Sequence, residues 1–434
     1  MSAAPNSPVG SPVASPAGSQ KELRRLNRNR VFRALFTAGK EITRQDICER
    51  TGLNPPLVSR VTAEMIASGL LEETCPAMEH DRRGRRRTLL RLRPEGAYVI
   101  AVAITAYSQE ILLGNLKGHI IHSKTIPDFF ALNQEDLVPF LAEAMRQTLK
   151  AAGIARERLV GGSMALPRQV LLQGDKTTGV PLLGGALPDG LAEALGMPLI
   201  PIRLAEALNL AENIWGASRG FANVLYLHLT HIIGASLIHG NALLPPPDSI
   251  GNIAGLPVAR AGVSTSGLAR IENTASGMSV LRRLGHLPET AMLSRYTIED
   301  SLNLSLAHAQ SLAGDRPAQA AFTEAGEWMG HALETLYHAY RPDVIIFGGS
   351  LTDNPFYYNA MLNEWRSLHQ SGTPVETRNG TLSVGSAAIL TALQLHIASR
   401  ELDLEPLLAD RTTPEGGADG QPGGAARKAR ASQR

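Results

Sequence analysis

The stretch TRQDICERTGLNPPLVSRVTAEMIASG, residues 43–69, predicts two helices joined by a short turn. Thr43 is a good N-cap for the first helix, and Gly52 supplies the left-handed residue that ends a helix at least cost. Asn54 is a second N-cap, and Pro55 at the first helical position gives up no hydrogen bond. Two helices separated by a three- or four-residue turn containing glycine are typical of a helix-turn-helix.

The second of these helices is expected to lie in the major groove of DNA, where such a motif presents its base-reading side chains. The side chains left on or near its outer face are Asn54, Leu57, Ser59, Arg60 and Thr62. Arg60 is the best candidate for a bidentate contact to guanine, or for a phosphate contact if it points sideways. Arg44 and Gln45, which begin the preceding helix, are placed to contact the DNA backbone.

A wing is predicted directly behind the helices, with short strands over residues 70–73 and 88–93. Its tip carries five arginines around one glycine, namely Arg82, Arg83, Gly84, Arg85, Arg86 and Arg87. Arginine is drawn to the narrow, negative minor groove of A·T tracts. The alternative, a solvated run of charge, is disfavoured because five adjacent arginines repel one another. The helix-turn-helix and the wing together therefore predict a DNA-binding unit.

The composition and charge of the 434-residue chain indicate which class of partner it binds. Hydrophobic residues make up 44% and charged residues 19%, which excludes a chain disordered throughout. No apolar run reaches the roughly 18–20 residues that cross a bilayer, so no membrane partner is expected. Residues 21–96 hold 17 Lys and Arg against 10 Asp and Glu, whereas the whole chain has 42 against 40. A basic end on an acidic remainder indicates a polyanionic partner.

The cysteines indicate the redox compartment, and the composition of the two ends of the chain predicts disorder there. Cys48 and Cys75 are the only cysteines, which excludes a disulfide framework and a cysteine-based zinc site, so a reduced cytoplasmic protein is expected. Residues 1–20, rich in Ala, Pro and Ser, and residues 411–434, rich in Gly and then basic, are predicted to be disordered. The basic tail either adds non-specific affinity for nucleic acid or only improves solubility.

Between these ends we predict two units, which we name the head (residues 21–96) and the body (residues 97–410). The body alternates strand-like and helix-like segments, which is typical of a mixed α/β sheet with helices on its faces. A hairpin turn is predicted at Lys117-Gly118. The strand candidates are Tyr98–Ile104, Glu110–Leu116, Leu159–Ala165, Val224–Leu229, Ala235–Ile238 and Val344–Phe347. The helix candidates include Leu204–Gly216, Ala318–Tyr340 and Ser386–Ser399.

Over about residues 21–400 the chain resembles the transcriptional regulators of the ROK (repressor, open reading frame, kinase) family. Residues 43–69 and 84–94 are similar to the DNA-binding unit of these repressors. Residues 342–349, PDVIIFGG, resemble the family's segment PEVIVLGG, and residues 225–235 resemble the strands around its second phosphate loop. The resemblance implies an α/β fold in which a winged helix-turn-helix precedes a two-lobed actin-like ATPase body of the ribonuclease H type. It also implies a homodimer or homotetramer.

The departures from the family's kinases point to a body without catalysis. Aligned on the resemblance, the kinase base falls on Leu204, and a leucine cannot accept a proton from a sugar hydroxyl. The first phosphate loop falls on Ala103, Thr105 and Tyr107, and the second falls on residues 230–232. The sugar-binding motif falls on residues 252–255. The zinc ligands fall on Val263, Thr265, Arg270 and Gly255. Because the base, the phosphate loops, the sugar-binding motif and the zinc ligands are all lost on one alignment, we expect no catalytic residue, no metal and no cofactor.

Four polar residues remain as candidates for an effector pocket, namely Arg203, His231, Asn252 and Glu272. Arg203 either holds an anionic ligand or pairs with Glu272 and closes the old cleft. His228 and His231 would hold a metal only if the chain bends, so packing is the favoured interpretation. The sequence thus predicts a regulator of double-stranded DNA, a repressor, with a small-molecule effector of unassigned class. The alternatives are an ATP-dependent sugar kinase carrying a DNA-binding head, and a body that recognises a protein partner.

Overall fold

The computed structural model describes residues 20–74, 88–105, 107–127, 134–167, 186–244, 253–259, 269–288, 297–369, 375–399 and 401–409. The predicted disordered ends (apart from Gln20), the predicted wing tip 82–87 and the pocket candidate Asn252 lie outside these ranges. No helix within the described ranges has both the length and the apolar character that a membrane crossing requires.

The head contains the two helices and the two wing strands that the sequence predicts, preceded by a further helix. They are α1 Gln20–Ala38, α2 Arg44–Thr51, α3 Pro55–Ala67, β1 Leu71–Thr74 and β2 Leu89–Leu92. Thr43 and Asp46 form a reciprocal capping box at the start of α2, and Gly52 ends that helix with a φ of 67°. Strands β1 and β2 pair antiparallel, with Leu71 opposite Leu92. The three helices and the base of the wing therefore form one small packed unit.

Apolar residues at helical spacing explain how α3 packs in the head. Val58, Val61 and Met65 are buried on its inner side, against Phe32 of α1 and Ile47 of α2. This spacing places one stripe of α3 in the core and leaves the opposite stripe outside.

The body begins with a five-stranded sheet. Its strands are β3 Tyr98–Ile104, β4 Gln109–Asn115, β5 Ile120–Thr125, β6 Leu159–Leu166 and β7 Leu199–Arg203. Their order in the sheet is β5-β4-β3-β6-β7, in which β3, β4 and β5 are antiparallel neighbours and β6 and β7 run parallel to β3. Gly118, with a φ of 78°, lies in the turn between β4 and β5 and confirms the predicted hairpin.

A second five-stranded sheet repeats this pattern. The later strands are β8 Val224–Leu229, β9 Ile233–His239, β10 Ala242–Leu243, β11 Pro257–Val258, β12 Ala269–Arg270, β13 Val344–Gly348 and β14 Glu376–Asn379. The order of the second sheet is β10-β9-β8-β13-β14, again three antiparallel strands followed by two parallel ones. Strands β11 and β12 form a separate small pair. The body therefore has two lobes of the same topology.

Helices cover both faces of each sheet. They are α4 Gln134–Ala152, α5 Ala186–Leu195, α6 Leu204–Trp215, α7 Ile271–Ala275, α8 Gly277–Arg283, α9 Ile298–Leu312, α10 Arg316–Tyr340, α11 Pro355–Leu368, α12 Val384–Ala398 and α13 Glu405–Leu408. Helices α4 and α5 pack on the outer face of the first sheet, and α10 and α11 pack on the outer face of the second. Helices α6 and α12 pack between the sheets. A Cβ at Gly114 of β4 would lie 2.3 Å from Ile389 Cγ2, so glycine permits this close approach of α12.

The head is attached to the last described segment of the body. Asn29 Nδ2 of α1 donates a 2.7 Å hydrogen bond to the carbonyl of Leu402. Arg33 Nε donates to the carbonyl of Ile397 at 2.6 Å. Arg28 is buried and pairs both with Glu64 of α3, at 2.9 Å, and with Glu405 of α13. The end of the body thus contacts α1 and α3, which the sequence did not predict.

Candidate functional site

The outer face of α3 presents several of the predicted DNA contacts. Asn54, Ser59 and Arg60 are exposed, and Leu57 is half-buried. The Asn54 side-chain oxygen accepts a 3.0 Å hydrogen bond from the Leu57 N–H, so this side chain also caps the helix. Arg60 takes part in no ion pair with any other described residue. The face therefore offers a cation and short polar side chains to a partner.

Thr62 is the exception, and its predicted exposure is wrong. Its side chain is buried, and its hydroxyl donates to the carbonyl of Ser59 at 3.1 Å. The reason is helical spacing, because Thr62 lies four residues after the buried Val58 and falls on the same inner face. Arg44 Nε donates to the Thr62 hydroxyl at 3.1 Å. Thr62 thus connects α3 to α2 and does not lie on the outer face of α3 that is predicted to enter the major groove of DNA.

Arg44 and Gln45, the predicted contacts to the DNA backbone at the start of α2, have different surroundings. The guanidinium of Arg44 bonds to Glu73 of β1 at 2.7 Å, with 31% of its side chain exposed. Gln45 is exposed, and its amide donates to Glu49 at 3.0 Å. Arg44 therefore positions the wing strand against α2, while Gln45 remains at the surface.

Helix α1 adds basic residues that the sequence analysis did not select. Lys21, Arg24 and Asn27 line one surface groove together with Arg60 and Glu405. The polar stripe of α1, with basic residues at positions 21, 24 and 28, is the signal that could have revealed this.

An ion-pair network ties α1 to α3. Glu64 of α3 accepts hydrogen bonds from Arg24, at 2.8 Å, and from Arg28, at 2.9 Å. Partial burial opposes ionisation of Glu64, but these hydrogen bonds outweigh it and lower the pKa of the carboxyl group. This acidic group is therefore neutralised by its neighbours, and the groove beside Arg60 retains its basic character.

The wing is described only at its base. Arg91 of β2 pairs with Glu72 of β1 at 2.6 Å and with Glu41 at 3.3 Å, which fixes the two strands to the loop between α1 and α2. The predicted contacts of Gly84 and of the five arginines around it lie outside the described residues and stay predictions.

In the body, two aromatic rings meet at the positions aligned with the two phosphate loops. Tyr107 follows β3, and His231 lies in the turn between β8 and β9. Their ring centroids are 4.9 Å apart, and the Tyr107 hydroxyl lies 3.1 Å from Ser350 Oγ. Since Tyr107 belongs to the first lobe and the other two belong to the second, this contact bridges the lobes.

Burial governs the chemistry of this cleft. Burial lowers the pKa of His231 to about 4, although a backbone hydrogen bond and the charge of Asp300 act in the other direction. Burial alone lowers the pKa of His228 to about 4 as well. Both imidazoles are therefore neutral near pH 7. Within the described residues, no group of three or more His, Cys, Asp and Glu side chains is arranged to hold a metal ion.

The glycine pair at the end of β13 fixes the Ser350 side of this contact. Gly349 has a φ of 100°, and a Cβ there would lie 2.4 Å from the carbonyl of Leu229. Only glycine allows β13 to approach β8 this closely before the chain turns to Ser350.

The position that the resemblance aligns with the kinase base is apolar and buried. Leu204 opens α6 and is 8% exposed. Arg203, the last residue of β7, forms an ion pair with Glu206, three residues on, in which Nε lies 3.0 Å from Oε1. The sequence analysis did not name Glu206, although its i+3 spacing was the available signal. Glu272 lies half-buried in α7.

Comparisons with known proteins agree with this architecture. The model of the ROK family matches residues 99–388. A putative xylose repressor of Caldicellulosiruptor sp. (strain Rt8B.4) is 22% identical over 365 residues, which cover 81% of this chain and 89% of that protein.

Two solved structures share the fold. The crystal structure of a ROK family transcriptional regulator, a homologue of the Escherichia coli Mlc protein, has a TM-score of 0.66 at 20% identity and covers 89% of this chain and 99% of its own. A ROK hexokinase from Thermus thermophilus has a TM-score of 0.52 at 22% identity, covering 69% of this chain and 98% of its own. The predicted fold class is confirmed by these likenesses.

Proposed function

The chain belongs to the ROK family, and from this we propose that it is a sequence-specific DNA-binding transcriptional regulator, a repressor, whose body does not catalyse a reaction. The exposed Arg60 on α3, in a helix-turn-helix directly followed by a wing, is the observation that carries the proposal. The repressor name of the similar Caldicellulosiruptor protein supports it, because that likeness covers 81% of this chain and 89% of that protein.

The state of the body supports a regulatory role. Leu204 replaces the proton acceptor that a sugar kinase needs, and the contact between Tyr107 and His231 fills the aligned phosphate positions. We propose that the body pairs copies of the chain into a homodimer or homotetramer in the cytoplasm. A symmetric pair would place two copies of α3 about 34–36 Å apart, one turn of the DNA duplex.

The head is tested by measuring DNA affinity against salt with fluorescence anisotropy. The probes are a duplex from the region upstream of the protein's own gene and a random duplex of equal length. We expect tighter binding to the upstream duplex, and Arg60→Ala should weaken it by about 1–3 kcal/mol while affecting the random duplex less. Arg366→Ala, at an exposed position of α11, is the matched control and should bind as the parent does. Equal affinity for both duplexes would refute sequence-specific binding.

The body is tested by phosphate transfer from ATP to a panel of hexoses. We expect no hexose-dependent ADP release, since the resemblance aligns Leu204 with the base, and Tyr107 and His231 with the phosphate loops. The Thermus thermophilus hexokinase serves as the positive control for the assay. Hexose-dependent release that disappears when Arg203 is replaced by alanine would show that the body is an enzyme.

A further inference from the structure

A cavity lies between the head and the body, away from the contact of Tyr107 with His231. Its volume is about 950 Å³, within the range of ligand sites in proteins. The head contributes the end of α1, residues 39–41 and β2, and the body contributes the turn after β4, the end of α6 and the middle of α12. We propose that this cavity binds a small organic anion with an aromatic or branched aliphatic body.

The floor of the cavity is apolar. Leu35 of the head and Leu116, Leu390 and Leu393 of the body line it, and all four side chains are buried. Trp215 at the end of α6 is 37% exposed and lines the same space. This combination buries the carbon skeleton of a ligand and offers an indole ring for contact with it.

The rim of the cavity is basic. Lys40 comes from the head, and Lys117 and Arg219 come from the body. All three are exposed, and no ion pair between residues that the structure describes involves any of them. The acidic residue of the lining, Glu41, is paired with Arg91 at 3.3 Å. An anion on the ligand would therefore meet cations without a competing carboxylate.

The two properties together select the class of ligand. A neutral sugar would leave the cations unused, and inorganic phosphate would leave the apolar floor exposed to water. A carboxylate or sulfonate on an apolar skeleton uses both. Because head and body both line the cavity, such a ligand would contact the two units at once. This binding requires no DNA, so it stands or falls separately from the proposed function.

The test uses 8-anilinonaphthalene-1-sulfonate as the probe, with the full chain and without DNA. We expect saturable binding with energy transfer from tryptophan to the probe, and Trp215→Phe should remove most of that transfer. Lys117→Glu combined with Arg219→Glu should weaken binding by about tenfold or more, since two cations near the anion become two repelling carboxylates. Lys150→Glu combined with Arg366→Glu makes the same change of charge at exposed positions of α4 and α11 and should leave the affinity unchanged.

Two outcomes would overturn the proposal. Equal weakening by both charge-reversed pairs would mean that the probe responds to the overall charge of the protein. Binding that neither pair alters would place the probe elsewhere, for instance on the exposed Leu302 and Leu306 of α9. Circular dichroism of each variant verifies that its fold is intact, which is expected because every reversed charge is at an exposed position.

Discussion

The head and the body use their charged and titratable groups in opposite ways. In the head, the buried Arg28 pairs with two carboxylates, while Arg60 is exposed on α3. In the body cleft, His231 is buried and neutral, and its ring packs against Tyr107. The difference teaches that the head leaves a cation, Arg60, exposed to a partner, whereas the cleft of the body holds a neutral histidine ring in contact with a tyrosine.

The largest expected effect concerns the ion pairs that join the head to the body. In the double variant Glu64→Ala with Glu405→Ala, the Arg28 guanidinium, whose side chain is 7% exposed, loses both carboxylates. An uncompensated buried charge costs about 3–5 kcal/mol, so the free energy of unfolding should fall by about that amount. Urea unfolding followed by circular dichroism measures this change.

A matched control separates the stability effect of a buried ion pair from that of an exposed one. Arg24 also pairs with Glu64, but 56% of its side chain is exposed. Arg24→Ala should therefore change the free energy of unfolding by less than about 1 kcal/mol. If the double variant were as stable as Arg24→Ala, Arg28 would contribute nothing to joining the two units. The view that the head uses a buried ion-pair network for stability would then be wrong.

The head was predictable from its sequence because its signals are local. Caps, a turn glycine and apolar spacing fix α2 and α3 within residues 43–69, and the structure confirms these elements. Thr62 was misplaced because threonine is mostly a surface residue, and only its four-residue spacing from the buried Val58 indicates that it faces the core.

The body was predictable in class, but its contacts were not. The two lobes share a strand order that local periodicity does not reveal, since each sheet combines strands from distant parts of the chain. Tyr107 and Ser350 lie 243 residues apart, and Arg28 and Glu405 lie 377 apart, so neither contact leaves a local signal. The resemblance aligns the kinase base with Leu204, but only the structure shows that the rings of Tyr107 and His231 are in contact.

A smaller effect tests whether the cleft is closed around neutral histidines. The pKa of His231 is about 4 in the folded protein and near 6.5 when unfolded, so between these values the unfolded chain binds more protons. Stability contributed by the neutral ring is complete above pH 6.5 and is lost as the pH falls toward 4. It amounts to at most about 3 kcal/mol. His231→Phe keeps a ring against Tyr107 but cannot titrate.

The free energy of unfolding should therefore decline less between pH 7 and pH 4 in His231→Phe than in the parent protein. His286→Gln, which removes an exposed imidazole after α8, should give a curve parallel to that of the parent. His228 keeps its own pH dependence in all three proteins, so only the difference between the curves reports on His231. Parallel curves for all three would mean that His231 is open to water, and the cleft would then resemble the exposed surface of the head more than a packed core.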